Sequence, residues 1–302
     1  MKIILTGSLG NIGLHLTRNL LQHGHVVTVV SSNPGRQADI EALGAQAAIG
    51  AVTDVEFLTN TFRGADVVYL IGIWEAIGSM FDPDVDFESG FIQMANNYKK
   101  AIQATGIKKA IYLSTIGAHT NKGIGVLIYH YLAEQVLQTL PDDVAVKFMR
   151  PVGFYTNLYR SIPTIRNQNA IVQNFGGDTP QPWVSPIDIA QAITEEVDLP
   201  FEGKTVRYIA SEEISANEIA RILGEAIGQP DLQWIVIPDE ALLDGMLAHG
   251  MNKSIANGFI EMQNAQKSGS IYADYYKNEP ELGQTKFASF AKEFAEVYHQ
   301  QP

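Results

Sequence analysis

The 302-residue chain contains no cysteine. Disulfides, thiolate nucleophiles and cysteine metal ligands are therefore excluded, and the fold stands on packing alone. Long hydrophobic runs are also missing. No apolar stretch approaches the ~18 residues that cross a bilayer, and MKIILT runs straight into a glycine loop with no space for a charged leader, an apolar segment and a cleavage site. A cytoplasmic protein without membrane association is the expectation. Basic residues are in short supply: 21 Lys and Arg against 33 Asp and Glu give a net charge of −12. That balance repels a phosphate backbone and argues against direct nucleic-acid binding; it serves solubility instead. The chain also lacks internal repeats and low-complexity segments, as expected of one folding unit with a large core.

What the chain does have is an alternation of short β-branched runs and helical stretches. Lys2–Thr6, His25–Val30, Ala45–Ile49, Asp66–Ile71, Lys108–Ser114 and Val144–Met149 are apolar without polar alternation, the mark of strands covered on both faces. Ile12, Leu16 and Leu20 recur every four residues between the first two, with Gly24 as a helix stop. Further helices are expected near Val55–Phe62, Phe91–Thr105 and Ile128–Leu140. This alternation predicts an α/β fold with a doubly wound parallel sheet. After Arg150 the rhythm changes. Pro163, Pro180, Pro182, Pro186 and the Gly176–Gly177 pair interrupt the chain, Lys204–Ala210 reads as one more strand, and helices are expected after Ser185 and Ser215, over Asp239–Gln266 and over Phe287–Tyr298.

The first strand is followed by GSLGNIG, a G-x-x-G-x-x-G spacing at the start of a helix. Glycines there let the backbone turn sharply and approach a pyrophosphate, and the helix N-terminus offers free N–H groups and a positive dipole end. Gly7, Leu9, Gly10, Asn11, Ile12 and Gly13 are the candidate cradle of a nicotinamide dinucleotide. At the end of the second strand, an acid would bind the ribose 2′-hydroxyl and repel a 2′-phosphate. The residues here are VVSSNPGR, with no acid before Asp39; Ser31, Ser32, Asn33 and Arg36 favour NADP(H) over NAD(H). The expected organisation is a Rossmann domain at 1–150, with 204–228 returning to it, and a smaller, discontinuous, helix-rich lobe from 151–203 and 229–302. A metal site is not expected: the seven histidines are scattered, and His23 and His25 alone lie close together.

The glycine loop, SSNPGR, KKAIYLSTIGA and MRPVGFYTNL, with WVSPIDIAQAI and GKTVRYIASEEISANEIARILGEAIG later on, resemble the NmrA-like family of atypical short-chain dehydrogenases/reductases. The similarity runs over most of the chain. It implies an NADP(H)-binding Rossmann protein, either an oxidoreductase passing hydride to a quinone or small carbonyl acceptor or a non-catalytic redox sensor acting on a protein partner. Related extended reductases use a Tyr and, four residues later, a Lys on the helix after the fifth strand. Matching their downstream Glu and Leu to Glu134 and Leu137 puts Val126 at the Tyr position and His130 at the Lys position, so the acid–base pair is missing in that register. This weighs against a nucleotide-sugar epimerase, which needs the Tyr base. Tyr129 and Tyr131 leave the helix about 100° away per residue and do not substitute. His130 remains a candidate for a ribose contact or a proton relay, against a packed histidine. By the same resemblance, Ser114 or Thr115 faces the carboxamide or substrate, or else satisfies a strand-end backbone group. Gly72, Ile73 and Trp74 cover the adenosine or the nicotinamide ribose, and Pro151, Gly153 and Phe154 bound the nicotinamide side. Trp74, Phe154 and Tyr155 are candidates for stacking an aromatic acceptor.

Overall fold

The computed structural model describes residues 1–300. Along the chain run β1 (Lys2–Leu5), α1 (Gly13–Gln22), β2 (Val26–Ser31), α2 (Gln37–Ala42), β3 (Gln46–Ile49), α3 (Val55–Phe62), β4 (Val67–Ile71), α4 (Phe87–Thr105), β5 (Lys109–Leu113), α5 (Ile128–Gln138) and β6 (Ala145–Pro151). They continue with β7 (Gly153–Phe154), α6 (Ile162–Gln168), β8 (Ala170–Gln173), β9 (Gln181–Val184), α7 (Pro186–Asp198), β10 (Lys204–Ile209), β11 (Glu212–Ile214), α8 (Ala216–Ile227), β12 (Gln233–Val236), α9 (Asp239–Ala248), α10 (Lys253–Ser268) and α11 (Phe287–Gln300).

A seven-stranded sheet in the order β10-β6-β5-β4-β1-β2-β3 carries the fold. The pairings from β3 through β6 are parallel, with Leu5 opposite both Val29 and Tyr69. Strands buried on both faces need no alternation, which is why Ile3, Leu5, Val27, Val29, Val67 and Leu70 are all nearly inaccessible. The order reverses beside β1, where β2 and β4 leave in opposite directions, and a ligand crevice opens at such a switch point beyond the strands' C-terminal ends. This is the expected doubly wound Rossmann sheet, with a helix-rich C-terminal region.

The described residues divide into two compact units: Met1–Asn121, Leu127–Arg150 and Ile189–Arg207 form the first, and Lys122–Val126, Pro151–Asp188 and residues 208–300 form the second. These boundaries differ from those read in the sequence, which assigned 151–203 to the lobe and returned 204–228 to the sheet domain. Ion pairs tie α7 to β10 and β6 and accompany the first difference. Arg207 holds Glu195 at 2.7 Å and Glu196 at 3.1 Å, and Lys147 holds Glu196 at 3.1 Å. For the second, α8 buries Ile219 and Leu223 in one core with Phe290 and Phe294 of α11.

Two helix limits also differ from expectation. The Asp86 carboxylate accepts from the Ser89 backbone N–H at 3.0 Å and starts α4 at Phe87, four residues before the apolar period suggests. The stretch 239–266 is two helices. Gly250 turns the chain with φ +81°, and the Asn252 side chain caps α10 through the Ser254 N–H at 2.8 Å. Among the described residues, no helix is long and apolar enough to cross a membrane.

Candidate nucleotide-binding site

The glycine loop is built by ties between β1, β2 and β4. The Thr6 hydroxyl donates to the Tyr69 carbonyl and accepts from the Ile71 N–H, both at 3.1 Å. Gly7 then turns with φ +93°, and a Cβ on it would collide with the Ile71 side chain. Ser8 takes the left-handed region with φ +57°, donates its N–H to the Val30 carbonyl at 3.0 Å and its hydroxyl to Ser31 Oγ at 3.1 Å. A Cβ at Gly13 would collide with the Ser8 carbonyl oxygen, so the first turn of α1 closes tightly on the loop. Gly10 is different. It has no left-handed φ, and a Cβ there would meet only the Gly7 carbonyl oxygen at 3.7 Å, an ordinary contact.

Protein packing thus explains two of the three glycines and leaves Gly10 open to close approach by something else. Beside it, the N-terminus of α1 has no side-chain cap and no acid in its first turn. A helix N-terminus with neither a side-chain cap nor an acid presents its positive dipole end, which suits a pyrophosphate. The residues present fit a dinucleotide.

From the loop a cleft of about 430 Å³ extends across the ends of β1, β2, β3 and β4. Its wall brings together Gly7, Ser31, Ser32, Gly72, Ile73 and Trp74 from the sequence reading. It adds Gly50, Ala51, Val52 and Thr53 after β3, which sequence reasoning missed. That segment is held from α4: the buried Asn97 amide donates to the Thr53 carbonyl at 3.0 Å and to the Val52 carbonyl at 3.4 Å. The run of small residues in IGAVT after a strand was the available signal.

At the end of β2, Ser31 is buried, its hydroxyl shared with Ser8, the Asn33 N–H and the Asn33 carbonyl. The Asn33 side chain accepts from the Gly35 N–H at 2.9 Å and forms the turn that presents Arg36. Arg36 is half exposed and pairs with Asp39 at 3.1 Å. On the opposite wall, a Cβ at Gly72 would collide with the Phe91 ring. Trp74 packs on Phe87, Phe91 and Tyr129 with centroids 4.9, 5.3 and 5.4 Å away.

Ser114 directly follows β5, with its hydroxyl donating to Glu134. Glu134 is fully buried and is gripped by Arg150 through Nε at 2.9 Å and Nη2 at 2.7 Å; the same Nη2 donates to the Ala118 carbonyl at 3.0 Å. The serine thus belongs to a buried ion pair joining β5, α5 and β6. Thr115 follows, half buried. His130 faces the Tyr112 hydroxyl through Nδ1 at 3.2 Å and sits edge-on to Phe91. Burial brings its pKa down to about 4. Such an imidazole is neutral at pH 7 and can make hydrogen bonds there, but it is a poor proton relay.

Val126 belongs to the second unit and is buried against α10. Gly125 turns there with φ +53°, and a Cβ on Gly258 would lie 2.8 Å from Val126 Cγ1. The position that the family resemblance gives to a tyrosine is used for packing. Pro151, Gly153 and Phe154 lie in the second unit, with Gly153 paired to Trp183 of β9. Tyr155 is inaccessible in that unit's core, its ring 5.1 Å from Phe287 and its hydroxyl donating to the Thr285 carbonyl at 3.3 Å. The expected stacking role for Tyr155 is therefore corrected: the ring has no exposed face to offer.

Residues 7–200 match the family model described as NAD(P)H-binding. The chain belongs to this NAD(P)H-binding family. The match covers the glycine loop, the cleft wall and α5, and it agrees with the resemblance to the NmrA-like reductases. An NAD(P)H azoreductase of Xenophilus azovorans is 23% identical over 261 residues, 86% of this chain and 85% of that protein. Among solved structures, an NADPH-dependent quinone oxidoreductase of Escherichia coli complexed with NADPH aligns over 96% of this chain and 99% of its own, with a TM-score of 0.78 and 17% identity. The Citrobacter sp. triphenylmethane reductase complexed with NADP(H) aligns over 98% and 100%, with a TM-score of 0.73 and 19% identity. At these identities the structures show a shared fold.

Proposed function

We propose that this protein is an NADPH-dependent oxidoreductase that reduces a small planar acceptor, a quinone or a similar carbonyl compound. The observation that carries the reading is Gly10, a glycine no protein contact requires, beside the uncapped N-terminus of α1 and in the loop whose Gly7 and Ser8 line the cleft. The named activities of the relatives, reduction of azo compounds, quinones and triphenylmethane dyes, support the acceptor class. The cofactor supplies the hydride when bound. The protein's tasks are to hold the phosphates on the α1 amides, to set Arg36 and Ser32 near the 2′-phosphate, and to place the acceptor against the nicotinamide. Acceptors of this class can take their protons from water, so the reaction does not depend on the Tyr–Lys pair that Val126 and His130 replace.

The same replacement favours a second reading, a dinucleotide sensor that signals to a protein partner. Titrating NADPH and NADH against the intrinsic tryptophan fluorescence tests binding, and NADPH oxidation with a panel of quinones separates the readings. Saturable binding with turnover is expected. Failure of both nucleotides to bind below about 1 mM refutes both readings. Binding without turnover across a broad panel overturns the oxidoreductase and leaves the sensor.

A further inference from the structure

The geometry points to a binding site for a divalent transition cation of the zinc type, formed by His23, His25 and Asp198 in the first unit. The two histidines flank Gly24 in the turn between α1 and β2, and Asp198 is the last residue of α7. The fold closes a gap of 175 residues to bring them together. Asp198 Oδ2 lies 2.7 Å from His23 Nδ1, and Oδ1 lies 2.8 Å from His25 Nε2. One ligand atom from each of the three residues falls within 4.8 Å of the others. None of the three lines the nucleotide cleft.

Zinc takes imidazole nitrogen at about 2.0–2.1 Å and carboxylate oxygen at about 2.0–2.2 Å, which sets tetrahedral donors roughly 3.4 Å apart. The two histidine–carboxylate contacts, at 2.7 and 2.8 Å, are shorter than that value, so an ion needs the side chains to move apart by about an ångström. The side chains allow it. His25 is 8% exposed and fixed, whereas His23 and Asp198 are 45% and 37% exposed and free to adjust.

The local field has the right sign. His23 caps the C-terminus of α1 and Asp198 closes α7, so two negative helix-dipole ends meet at a carboxylate. Two ammonium groups stand nearby and oppose a further cation, the Met1 amino group 3.4 Å from His25 Nδ1 and Lys109, which donates to the Val197 and Leu199 carbonyls at 2.7 Å each, so a bound ion requires the Met1 contact to open and the His25 proton to move to Nδ1. Two imidazoles with one carboxylate match zinc and its neighbours rather than calcium or magnesium, which prefer all-oxygen sets. A bound ion would take the place of the hydrogens between these atoms, with water in the fourth position, and would clamp the end of α7 to the turn after α1.

The test uses the full chain without an affinity tag, stripped with EDTA and desalted, and titrated with Zn²⁺ by calorimetry and with Co²⁺ by visible absorption at pH 7.5. One ion per chain in the micromolar range is expected, with a rise in Tm on saturation. His23→Ala and Asp198→Asn each weaken it at least tenfold and abolish the Tm rise, while NADPH binding, measured as the check on folding, stays unchanged. No saturable binding below about 1 mM overturns the site. So does binding that is equal in wild type and variants, which would place the ion elsewhere. Acid must also weaken binding, because both imidazole nitrogens have to be unprotonated; affinity independent of pH between 5 and 8 overturns the assignment.

Discussion

Replacing Gly10 with alanine separates binding from folding. The new methyl meets nothing closer than the Gly7 carbonyl oxygen at 3.7 Å and sits on backbone of ordinary φ. Such a change alters stability little, and by restricting the unfolded chain it can add about 0.4–1 kcal/mol. Tm should hold or rise slightly. Cofactor affinity should fall steeply, because the methyl occupies the approach of the pyrophosphate to the α1 amides. A hydrogen bond to a charged group contributes about 1.5–3 kcal/mol, so losing one raises Kd for NADPH roughly 10- to 150-fold. Two neighbours serve as controls. Gly13→Ala drives a Cβ into the Ser8 carbonyl oxygen, and Gly7→Ala adds a left-handed φ to a clash with Ile71. Both should lower Tm, by roughly 2–4 °C for each kcal/mol of strain. Calorimetric titration with NADPH and thermal unfolding supply the two readouts. An unchanged Kd in Gly10→Ala would refute the cradle. A Tm loss matching that of Gly13→Ala would show that the position is structural.

Arg36→Ala should weaken NADPH about 5- to 30-fold and NADH much less, because the exposed pair with Asp39 contributes little and the guanidinium can turn to a 2′-phosphate; equal losses for both nucleotides would sink that assignment. Glu134→Gln leaves the Arg150 guanidinium buried without its counter-ion and should cost about 3–5 kcal/mol. Thermal unfolding checks it, and a drop in Tm of less than about 3 °C would mean that the pair is not structurally decisive. His130 adds a pH dependence. Its pKa is depressed to about 4 in the folded state against 6.5 when free, so the unfolded chain binds the extra proton and stability declines as pH falls from about 6.5 to about 4. At about 1.4 kcal/mol per pKa unit, discounted because the side chain is only partly buried, the size is on the order of 2 kcal/mol. Denaturant titrations of wild type and His130→Gln across that range should diverge in slope, and parallel curves would contradict a buried neutral imidazole.

The sheet and the phosphate loop were legible because their signals are local. β-branched runs without alternation mark strands covered on both faces, and the glycine spacing lies within seven residues. The roles of individual glycines were not, since Gly7, Gly10 and Gly13 look alike until the positions of Ile71 and the Ser8 carbonyl are known. Contacts that close over long separations also stayed hidden. Ser114 could be placed at a strand end, but its commitment to Glu134 and Arg150 depends on how three elements meet. Tyr155 looked like a stacking surface because it follows a strand, yet the second unit closes Phe287 and Phe290 over it. His23 and His25 show the limit most clearly. Two histidines in a turn are too few ligands to argue for a metal, and the third donor, Asp198, arrives only because α7 ends beside that turn. What the sequence carries faintly is therefore side-chain chemistry assembled from distant elements, and a site of this kind has to be sought in the folded chain, residue by residue.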